Sequence, residues 1–426
     1  MAVLITSAVT SNAQFLMDML DTTKEAGKGL LDIYRKYDHL RIGGYIQPQF
    51  QVVQSEGAKS FEGGDFGTHV NNRFMLRRSR VRIDYLHLNN QNNPGVQFVF
   101  QFDANERGFT VRDVWGRIFE NKYQLFSFTI GMFPRPFGYE VNLSSSDRES
   151  PERGRMSQTL MKSERDLGAM VSFYVRKEKH FLKKIKIDAG FFNGQGINAV
   201  ADFDSKKDFI GRVSLKSVKL SKKIALTAGA SLLSGGLLQN TKYVYTTQAV
   251  NDSKLFRVDS SETNSGNISP RIYKGIDVQL KIKNKVGFTE LRGEFITGTQ
   301  TGTATNTETP TALMNGRDGF YIRDFNGAYF YFLQHIFSVR HQLVVKYDWY
   351  DPNTKVKGNE IGKAGANLNA ADIKYNTLSI GYVYGLTQIA KLSLFYAFVK
   401  NENTQLAGYL TNARDNVFTT RLQFRF

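Results

Sequence analysis

Residues 95–133 read GVQFVFQFDANERGFTVRDVWGRIFENKYQLFSFTIGMF, and this stretch decides the fold. In its first part, one face holds the apolar residues Val96, Phe98, Phe100 and Phe102. The opposite face holds the polar residues Gln97, Gln101 and Asp103. Because successive side chains of a β-strand point to opposite faces, this alternation predicts a strand with one apolar surface. The pattern returns further along, where one face holds Phe126, Phe128, Ile130 and Met132.

A period of two continues from Leu40 to the C-terminus and predicts sixteen strands. A tilted strand crosses a bilayer with about 9–11 residues, and each of these segments is long enough. The predicted strands are Leu40–Gln54, Asn72–Asn89, Gly95–Asp103, Thr110–Phe119, Gln124–Phe133, Asp166–Arg176, Lys184–Phe192, Phe209–Val218, Lys223–Leu233, Arg271–Ile282, Gly287–Ile296, Tyr321–Leu333, His341–Tyr350, Asp372–Tyr384, Lys391–Val399 and Asn416–Phe426.

The connections between these strands alternate in length. Odd-numbered connections are long and polar, apart from Ala104–Phe109, and include Pro134–Arg165 and Ser234–Pro270. Even-numbered connections, such as Glu120–Tyr123 and Lys219–Lys222, are short. A soluble sandwich has no reason to sort its loops in this way, whereas a barrel that crosses a membrane has tight turns on one side and long loops on the other.

Backbone N–H and C=O groups in lipid must be paired, which excludes an open sheet edge from the bilayer core. Sixteen strands close around a lumen wide enough for an aqueous channel. We therefore predict an all-β fold over residues 40–426, a sixteen-stranded antiparallel transmembrane β-barrel with long extracellular loops and short periplasmic turns. An even number of strands puts both ends of the barrel on the side of the short turns.

Two segments precede the predicted barrel. Residues 1–13 combine a soft apolar run with a small-residue cleavage site after Ala13, which is typical of a secretory signal peptide, although the positively charged start is missing. Residues 15–38 carry apolar positions at alternating steps of four and three, which predicts a short amphipathic helix. This helix either packs on the rest of the protein or serves in oligomerisation.

The composition excludes several classes of function. The chain of 426 residues carries 56 Lys and Arg against 39 Asp and Glu, a formal net charge of +17, and no Cys. The absence of Cys excludes a disulfide framework, a Cys nucleophile and a thiolate metal site. The basic residues are spread through the strands instead of forming a stripe or a known module, which argues against a nucleic-acid partner. We expect them to face the lumen or the anionic outer surface.

Catalytic and metal-binding patterns are absent from the sequence. It contains no G-x-S-x-G, no phosphate-binding glycine loop and no H-E-x-x-H. His87, His335 and His341 are too scattered for a metal site. We therefore expect no enzyme activity, no cofactor and no bound metal.

Several local patterns resemble the phosphate-selective porin O/P family of outer-membrane channels. In chain order they are LRRSRV at 76–81, FFNGQG at 191–196, YKGIDVQL at 273–280, RDFNG at 323–327, KYDWYDP at 346–352 and TRLQFRF at 420–426. The resemblance covers about residues 40–426. It implies a sixteen-stranded barrel, often trimeric, with inward-folded loops and a basic lumen that favours anions such as phosphate or polyphosphate. The loops of this chain do not match the family's anion site residue by residue.

The second predicted strand carries the candidate anion-conducting residues. Arg78, Arg80 and Arg82 share one face, and burying Val81 and Ile83 of the other face in lipid turns the three arginines into the lumen. Residues two apart in a strand are about 6.8 Å apart, a spacing at which an anion could step between guanidinium groups. Arginine suits phosphate because its fork donates two parallel hydrogen bonds. A wall network of Arg–Asp or Arg–Glu pairs is the other interpretation.

The connection Pro134–Arg165 is the candidate constriction loop because of its place in the barrel order. Its six cations are Arg135, Arg148, Arg153, Arg155, Lys162 and Arg165, and they face five acids, Glu140, Asp147, Glu149, Glu152 and Glu164. Folded inward, the loop would narrow the pore and create a field of mixed sign. A solvated extracellular loop whose charges pair among themselves is the alternative.

The sequence thus predicts a porin in the outer membrane of a Gram-negative bacterium that passes small anions, with phosphate or polyphosphate favoured. Its expected partners are outer-membrane lipid, lipopolysaccharide, small anions and two further copies of the chain in a homotrimer. The alternative is a barrel with an occluded lumen that binds a partner through its long surface loops, such as those at 234–270 and 297–320.

Overall fold

The computed structural model describes residues 39–177, 180–199, 201–251, 253–316 and 318–426. Sixteen antiparallel strands close into a barrel there, so the predicted fold class is confirmed. They are β1 (Leu40–Val53), β2 (Asn72–Leu88), β3 (Pro94–Asn105), β4 (Gly108–Phe119), β5 (Phe126–Pro134), β6 (Arg165–Tyr174), β7 (Ile185–Phe192), β8 (Asp208–Lys219), β9 (Ile224–Leu238), β12 (Ile268–Asn284), β13 (Gly287–Gly302), β14 (Phe320–His335), β15 (His341–Asp351), β16 (Tyr375–Gly385), β17 (Ala390–Asn401) and β18 (Val417–Arg425). The predicted signal segment 1–13 and helix 15–38 lie outside the described residues.

The barrel closes where its first and last strands meet. β1 pairs with both β2 and β18. At the end of the seam, the backbone N–H of Gly44 donates to the carbonyl of Phe426, and the N–H of Phe426 donates back to Gly44, both at 3.1 Å. Each strand of the barrel therefore has a hydrogen-bonded neighbour on both sides, as lipid requires. Both ends of the barrel lie on the short-turn side.

The outer surface carries an apolar belt. In β3, Phe98 and Phe100 are 46% and 43% exposed, whereas Val99 and Gln101 between and beside them are 0% and 7% exposed. Outward-facing residues of the same kind around the barrel include Phe126, Phe128, Ile130, Val171, Ile276, Val278, Leu291, Phe330, Phe332, Ile380, Phe398 and Phe424. An exposed apolar band of this extent on a closed barrel is the surface that faces lipid.

Loop lengths sort by side as predicted. The long side holds L1 (54–71), L2 (106–107), L3 (135–164), L4 (193–207), L5 (239–267), L6 (303–319), L7 (352–374) and L8 (402–416). The opposite side holds turns that include T3 (175–184), T4 (220–223), T5 (285–286) and T6 (336–340). L3 contains the helix α1 (Arg155–Leu160). Among the described residues, no helix is long and apolar enough to cross a membrane.

The long connection predicted at 234–270 is partly a hairpin. β9 runs five residues beyond its predicted end at Leu233, and L5 then forms β10 (Val244–Val250) and β11 (Ser253–Asp259). β10 pairs in parallel with the outer end of β14. The sequence analysis predicted a long polar connection here and did not predict this hairpin, in which β10 pairs with β11 along its whole length.

The outer loops share a small apolar core above β14–β17. It joins L5, L7 and the strand ends through the buried side chains Phe256, Tyr321, Ile361, Leu368, Ile373 and Tyr375. The rings of Tyr245 and Tyr321 stack at 4.2 Å, and a fully buried ion pair joins Arg323 to Asp372 at 2.8 Å. These loops therefore form one packed unit, and the cavity described below opens beside it.

We expect a charged side chain to destabilise the barrel on the lipid face of the wall and to be tolerated on the lumen face. Ile130 is 56% exposed on the lipid side of β5, and Ile130→Arg should destabilise the barrel by about 2–4 kcal/mol if it lies near the bilayer midplane. Thr227, on the lumen-facing side of β9, provides the matched control Thr227→Arg. The measurement is unfolding by urea from lipid vesicles. Equal losses for both variants would contradict the assignment of the two faces.

Candidate functional site

L3 leaves the wall after β5, crosses the lumen and contacts strands far around the barrel. At its neck, the N–H of Arg135 donates to the carbonyl of Glu164 at 3.0 Å. Farther along, Ser145 Oγ lies 2.6 Å from the hydroxyl of Tyr45 in β1. Glu149 binds Arg292 of β13 at 2.7 Å. L3 is therefore held against β1 and β13, and its role as a constriction stays a prediction.

Glu152 is the first of two buried carboxylates that dock L3 on the wall. Its oxygens accept hydrogen bonds from Arg77 at 2.8 Å, Arg78 at 2.7 Å and Arg421 at 2.8 Å. Burial opposes ionisation of this carboxyl, but the three guanidinium groups hold the pKa of Glu152 well below its ordinary value. Glu152 is therefore a fixed anion that ties the loop to β2 and β18.

Glu164 forms the second dock at the other end of the loop. It pairs with Arg112 of β4, with Arg153 of L3 and with Arg165, the first residue of β6, the last at 3.1 Å. Burial again opposes ionisation, and the surrounding arginines, led by Arg153 and Arg112, hold the pKa of Glu164 well below its ordinary value. Arg165 continues the network to Asp113 at 3.0 Å.

Two β-bulges supply arginines to these docks. In β2, Arg77 lies between Leu76 and Arg78, whose partners in β1 are the adjacent residues Pro48 and Gln47, so Arg77 is the extra residue. In β4, Arg112 is extra in the same way, opposite Gln101 and Phe102 of β3. A bulge re-aims one side chain, so two successive residues can face inward. If the residues of β2 alternated strictly, Arg77 would face lipid. The bulge turns it inward instead, where it binds Glu152.

The far side of L3 packs on an apolar part of the inner wall. Phe137 meets the ring of Tyr273 edge-on at 5.9 Å. The side chain of Met156 lies over Gly327, where an added Cβ would come within 2.7 Å of the Met156 sulfur. Both residues belong to a buried cluster whose members outside L3 lie on β3–β9 and on β12–β17. L3 is therefore packed on apolar side chains of the inner wall as well as tied to the wall by ion pairs.

The six predicted loop cations occupy different environments. Arg135 is buried and donates to the carbonyl of Ser163, and Arg148 is buried and donates to the carbonyls of Ser150 and Pro151. Arg153 and Arg165 belong to the Glu164 dock. Lys162 is exposed and pairs with Glu308 of L6 at 2.6 Å. Arg155 forms no ion pair among the described residues and stands between two aromatic rings.

The three predicted strand arginines all lie on the lumen side, and each has an acidic partner. Arg78 binds Glu152, Arg80 binds Asp103 at 3.0 Å, and Arg82 binds Asp84 at 3.0 Å. Arg78 and Arg80 are buried, whereas the side chain of Arg82 is 41% exposed. Their part in conduction stays a prediction, and the pairs agree with the alternative of a wall network.

L1 also folds inward, which the sequence did not predict. The side-chain amide of Gln158 in α1 donates to the carbonyl of Phe61 at 2.8 Å, and Gln51 donates to the carbonyl of Glu62. L1, L3, the β2–β4 wall and residues of L6, L7 and L8 then line a cavity of about 1200 Å³ on the long-loop side. We call it the outer cavity.

Positive charge predominates in the outer cavity. Eleven Lys and Arg line it, against seven Asp and Glu. Among the described residues, five lining cations form no ion pair: Lys59, Arg73, Arg107, Arg155 and Arg414. Three lining acids also form none: Asp65, Glu106 and Asp415. The acids of L3 that line it, Glu152 and Glu164, are neutralised in their docks.

The short-turn mouth is also basic. Lys281 and Lys283 share the lumen-facing side of β12 with Asp277, which binds Arg212 at 2.7 Å. Lys216 and Lys219 lie at the short-turn end of β8, and Lys216 Nζ lies 5.1 Å from the ring centroid of Tyr174. All four lysines are exposed, and none forms an ion pair among the described residues.

Three solved structures share this architecture. The outer membrane channel DcaP of Acinetobacter baumannii and Salmonella typhi OmpF in complex with daunomycin each match with a TM-score of 0.53 and 10% identity, over 91% of this chain and 97% of theirs. The trimer form of Vibrio cholerae OmpT matches with a TM-score of 0.51 and 9% identity, over 91% of this chain and 99% of that one. No protein-family model and no curated protein sequence matches the chain.

At these identities the similarity establishes the fold. The chain has the sixteen-stranded barrel of outer-membrane porins and channels of Gram-negative bacteria, in agreement with the predicted localisation.

We expect Glu152→Gln to loosen L3. The change leaves Arg77, Arg78 and Arg421 without their shared carboxylate, and breaking a buried ion pair from one side costs about 3–5 kcal/mol. The variant should unfold at lower urea concentration and conduct with larger, noisier currents in planar bilayers. Asp147→Asn is the matched control, because the Asp147–Arg425 pair of L3 is about half exposed. Identical behaviour of the two variants would contradict the dock.

The ion pairs of Glu152 and Glu164 should persist in mildly acidic solution. A carboxyl whose pKa is lowered on folding contributes its stability above the ordinary pKa and loses it as the pH falls below that value. For Glu152 and Glu164 the ordinary value is 4.5. The difference in unfolding free energy between the wild type and Glu152→Gln should therefore be constant from about pH 7 to 5 and shrink only in stronger acid. A change centred near neutral pH would contradict this assignment.

Proposed function

We propose that the chain is a porin of the outer membrane, a passive diffusion channel, and that it favours small anions such as phosphate or polyphosphate. The observation that carries the proposal is the imbalance of unpaired charge along the lumen. Both mouths hold cations without an ion pair among the described residues, whereas most acids of L3 and of the wall are held in ion pairs. Fixed charge of one sign raises the local concentration of the opposite ion.

The mechanism needs only the side chains of the chain. An anion from outside meets the basic outer cavity, passes L3 and leaves past Lys216, Lys219, Lys281 and Lys283. At each stage, arginine and lysine replace part of the hydration shell. Binding of this kind must be strong enough to admit the ion and weak enough to release it. Arg82, which is half exposed beside Asp84, is the strand arginine best placed to contact a passing ion.

Preference for phosphate rests on the resemblance to the phosphate-selective porin O/P family. The motif at 76–81 lies on β2, beside the outer cavity, and supplies Arg77, Arg78 and Arg80. Forked guanidinium groups match the geometry of phosphate oxygens better than that of chloride.

The remaining parts of the proposal concern assembly and processing. We propose a homotrimer, because one of the structural matches is a trimer form. Lipopolysaccharide and outer-membrane lipid would surround it. Residues 1–13 would be the remnant of a signal peptide, and residues 15–38 a helix on the short-turn side. Size-exclusion chromatography with light scattering tests the trimer.

A specific observation favours a second candidate function. L5, L7 and the strand ends share a packed apolar core at the outer surface, and L3 packs on the inner wall beneath it. A barrel of this kind could act as a binding protein with an occluded lumen. Reconstitution decides between them, because a silent barrel that co-purifies with a partner would favour the second candidate.

We expect an anion-selective zero-current potential across a KCl gradient in planar bilayers, and block by phosphate. The double variant Lys281→Glu, Lys283→Glu should lower the chloride-to-potassium permeability ratio by about twofold or more. Lys363→Glu with Lys400→Glu changes the net charge equally on exposed residues of L7 and β17 and should leave the ratio unchanged. A cation-preferring wild-type channel would overturn the proposal.

A further inference from the structure

Arg155 is clamped between two aromatic rings in the wall of the outer cavity. Its Cζ lies 4.2 Å from the ring centroid of Phe61 in L1 and 3.5 Å from that of Tyr375 at the start of β16. Its backbone N–H donates to Asp348 at 3.3 Å. Stacking on both faces fixes the plane of a guanidinium group and leaves only its edge for a hydrogen-bonding partner.

That edge has no carboxylate partner within the described part of the chain. The Nε atom of Arg155 is buried and makes no hydrogen bond. The neighbouring Arg153 shows the contrast, because it is paired with Glu164 and donates to three backbone carbonyls. Arg155 is therefore held between two rings and forms no direct ion pair within the described residues.

Asp415 of L8 is an acidic residue that likewise lacks a partner for a buried polar atom. It is only 7% exposed, and its Oδ1 atom is buried without a hydrogen-bond partner in the described structure. Leaving a buried charged group unpaired is costly, so a site of this kind favours a ligand that compensates it.

The two groups face the same space. Both line the outer cavity, and both line a small void of about 10 Å³ beside it, roughly the room for one water molecule. They form no ion pair with one another, and Lys59, Glu62 and Asp348 line the same void without forming an ion pair with either. A guanidinium and a carboxylate that each lack an ion pair and line one cavity suit a ligand that carries both charges.

We propose that Arg155 and Asp415 form a binding site for a zwitterionic ligand of the α-amino-acid type. The carboxylate of the ligand pairs with the edge of Arg155, and its ammonium group donates to Asp415. The inference rests on the proposed function in so far as the ligand reaches the site through a water-filled mouth. An inorganic anion would satisfy Arg155 but would face the charge of Asp415.

The surroundings favour a ligand with a further acidic group. Lys59 and Arg414 also line the outer cavity and form no ion pair in the described residues. The space of about 1200 Å³ accommodates an amino acid or a short peptide. L-Glutamate is therefore the first probe, with glutarate as the analogue that lacks the ammonium group and 4-aminobutanoate as the analogue that lacks the α-carboxylate.

The test is isothermal titration of the full chain in detergent with these three compounds. Glutamate should bind about tenfold or more tightly than either analogue, which corresponds to one charge-assisted contact. In Asp415→Asn the advantage over glutarate should disappear. In Arg155→Gln the advantage over 4-aminobutanoate should disappear, and Arg155→Lys should restore only part of it. Arg340→Gln, an exposed change in turn T6, is the control for net charge.

Glutarate binding as tightly as glutamate would overturn the proposal, as would an unchanged preference in Asp415→Asn. Heat-modifiable migration in electrophoresis shows whether each variant is a folded barrel. Current through planar bilayers in KCl without amino acid is recorded in parallel. A protein that binds glutamate but conducts no current would contradict only the proposed channel function. A conducting channel that does not prefer glutamate would contradict only the proposed binding site.

Discussion

The structure depends on one constraint, that no backbone N–H or C=O group is left unpaired in lipid. Pairing of β1 with β18 meets it and turns the sheet into a closed wall. Closure fixes the alternation of side chains, so apolar residues face lipid and polar residues collect inside. All chemistry of the chain must then take place in the lumen or at its two mouths.

The bulges at Arg77 and Arg112 show how the wall departs from strict alternation without losing closure. Pro48 of β1 cannot donate to the ladder, and the register shifts at that position. The inserted arginines face buried carboxylates of L3. Buried ion pairs add little net stability compared with apolar packing, but they fix geometry strongly when every partner is present. The position of L3 is therefore specified both by ion pairs with β2, β4, β13 and β18 and by apolar contacts with the inner wall.

The strands of the wall could be predicted from the sequence because the residues of each strand alternate locally between apolar and polar. In Val96–Phe102 and Phe126–Met132, the lipid-facing residues can be identified without knowing which strands pair with them. The site was less accessible, since its members meet only after folding. Glu152 contacts Arg77 and Arg421, which lie 75 and 269 positions away. Pro48 within a predicted strand was a usable signal for one bulge, whereas nothing local marked the inward course of L1 or the clamp on Arg155.

The two basic regions of the lumen are built from different parts of the chain. The outer cavity is lined by L1, L3, β2–β4 and residues of L6–L8, whereas the exposed lysines of the short-turn mouth stand on β8 and β12. A solute that crosses the membrane meets these two groups of cations one after the other, with L3 between them. The order of charges along an elongated solute would therefore discriminate among solutes of equal net charge and size.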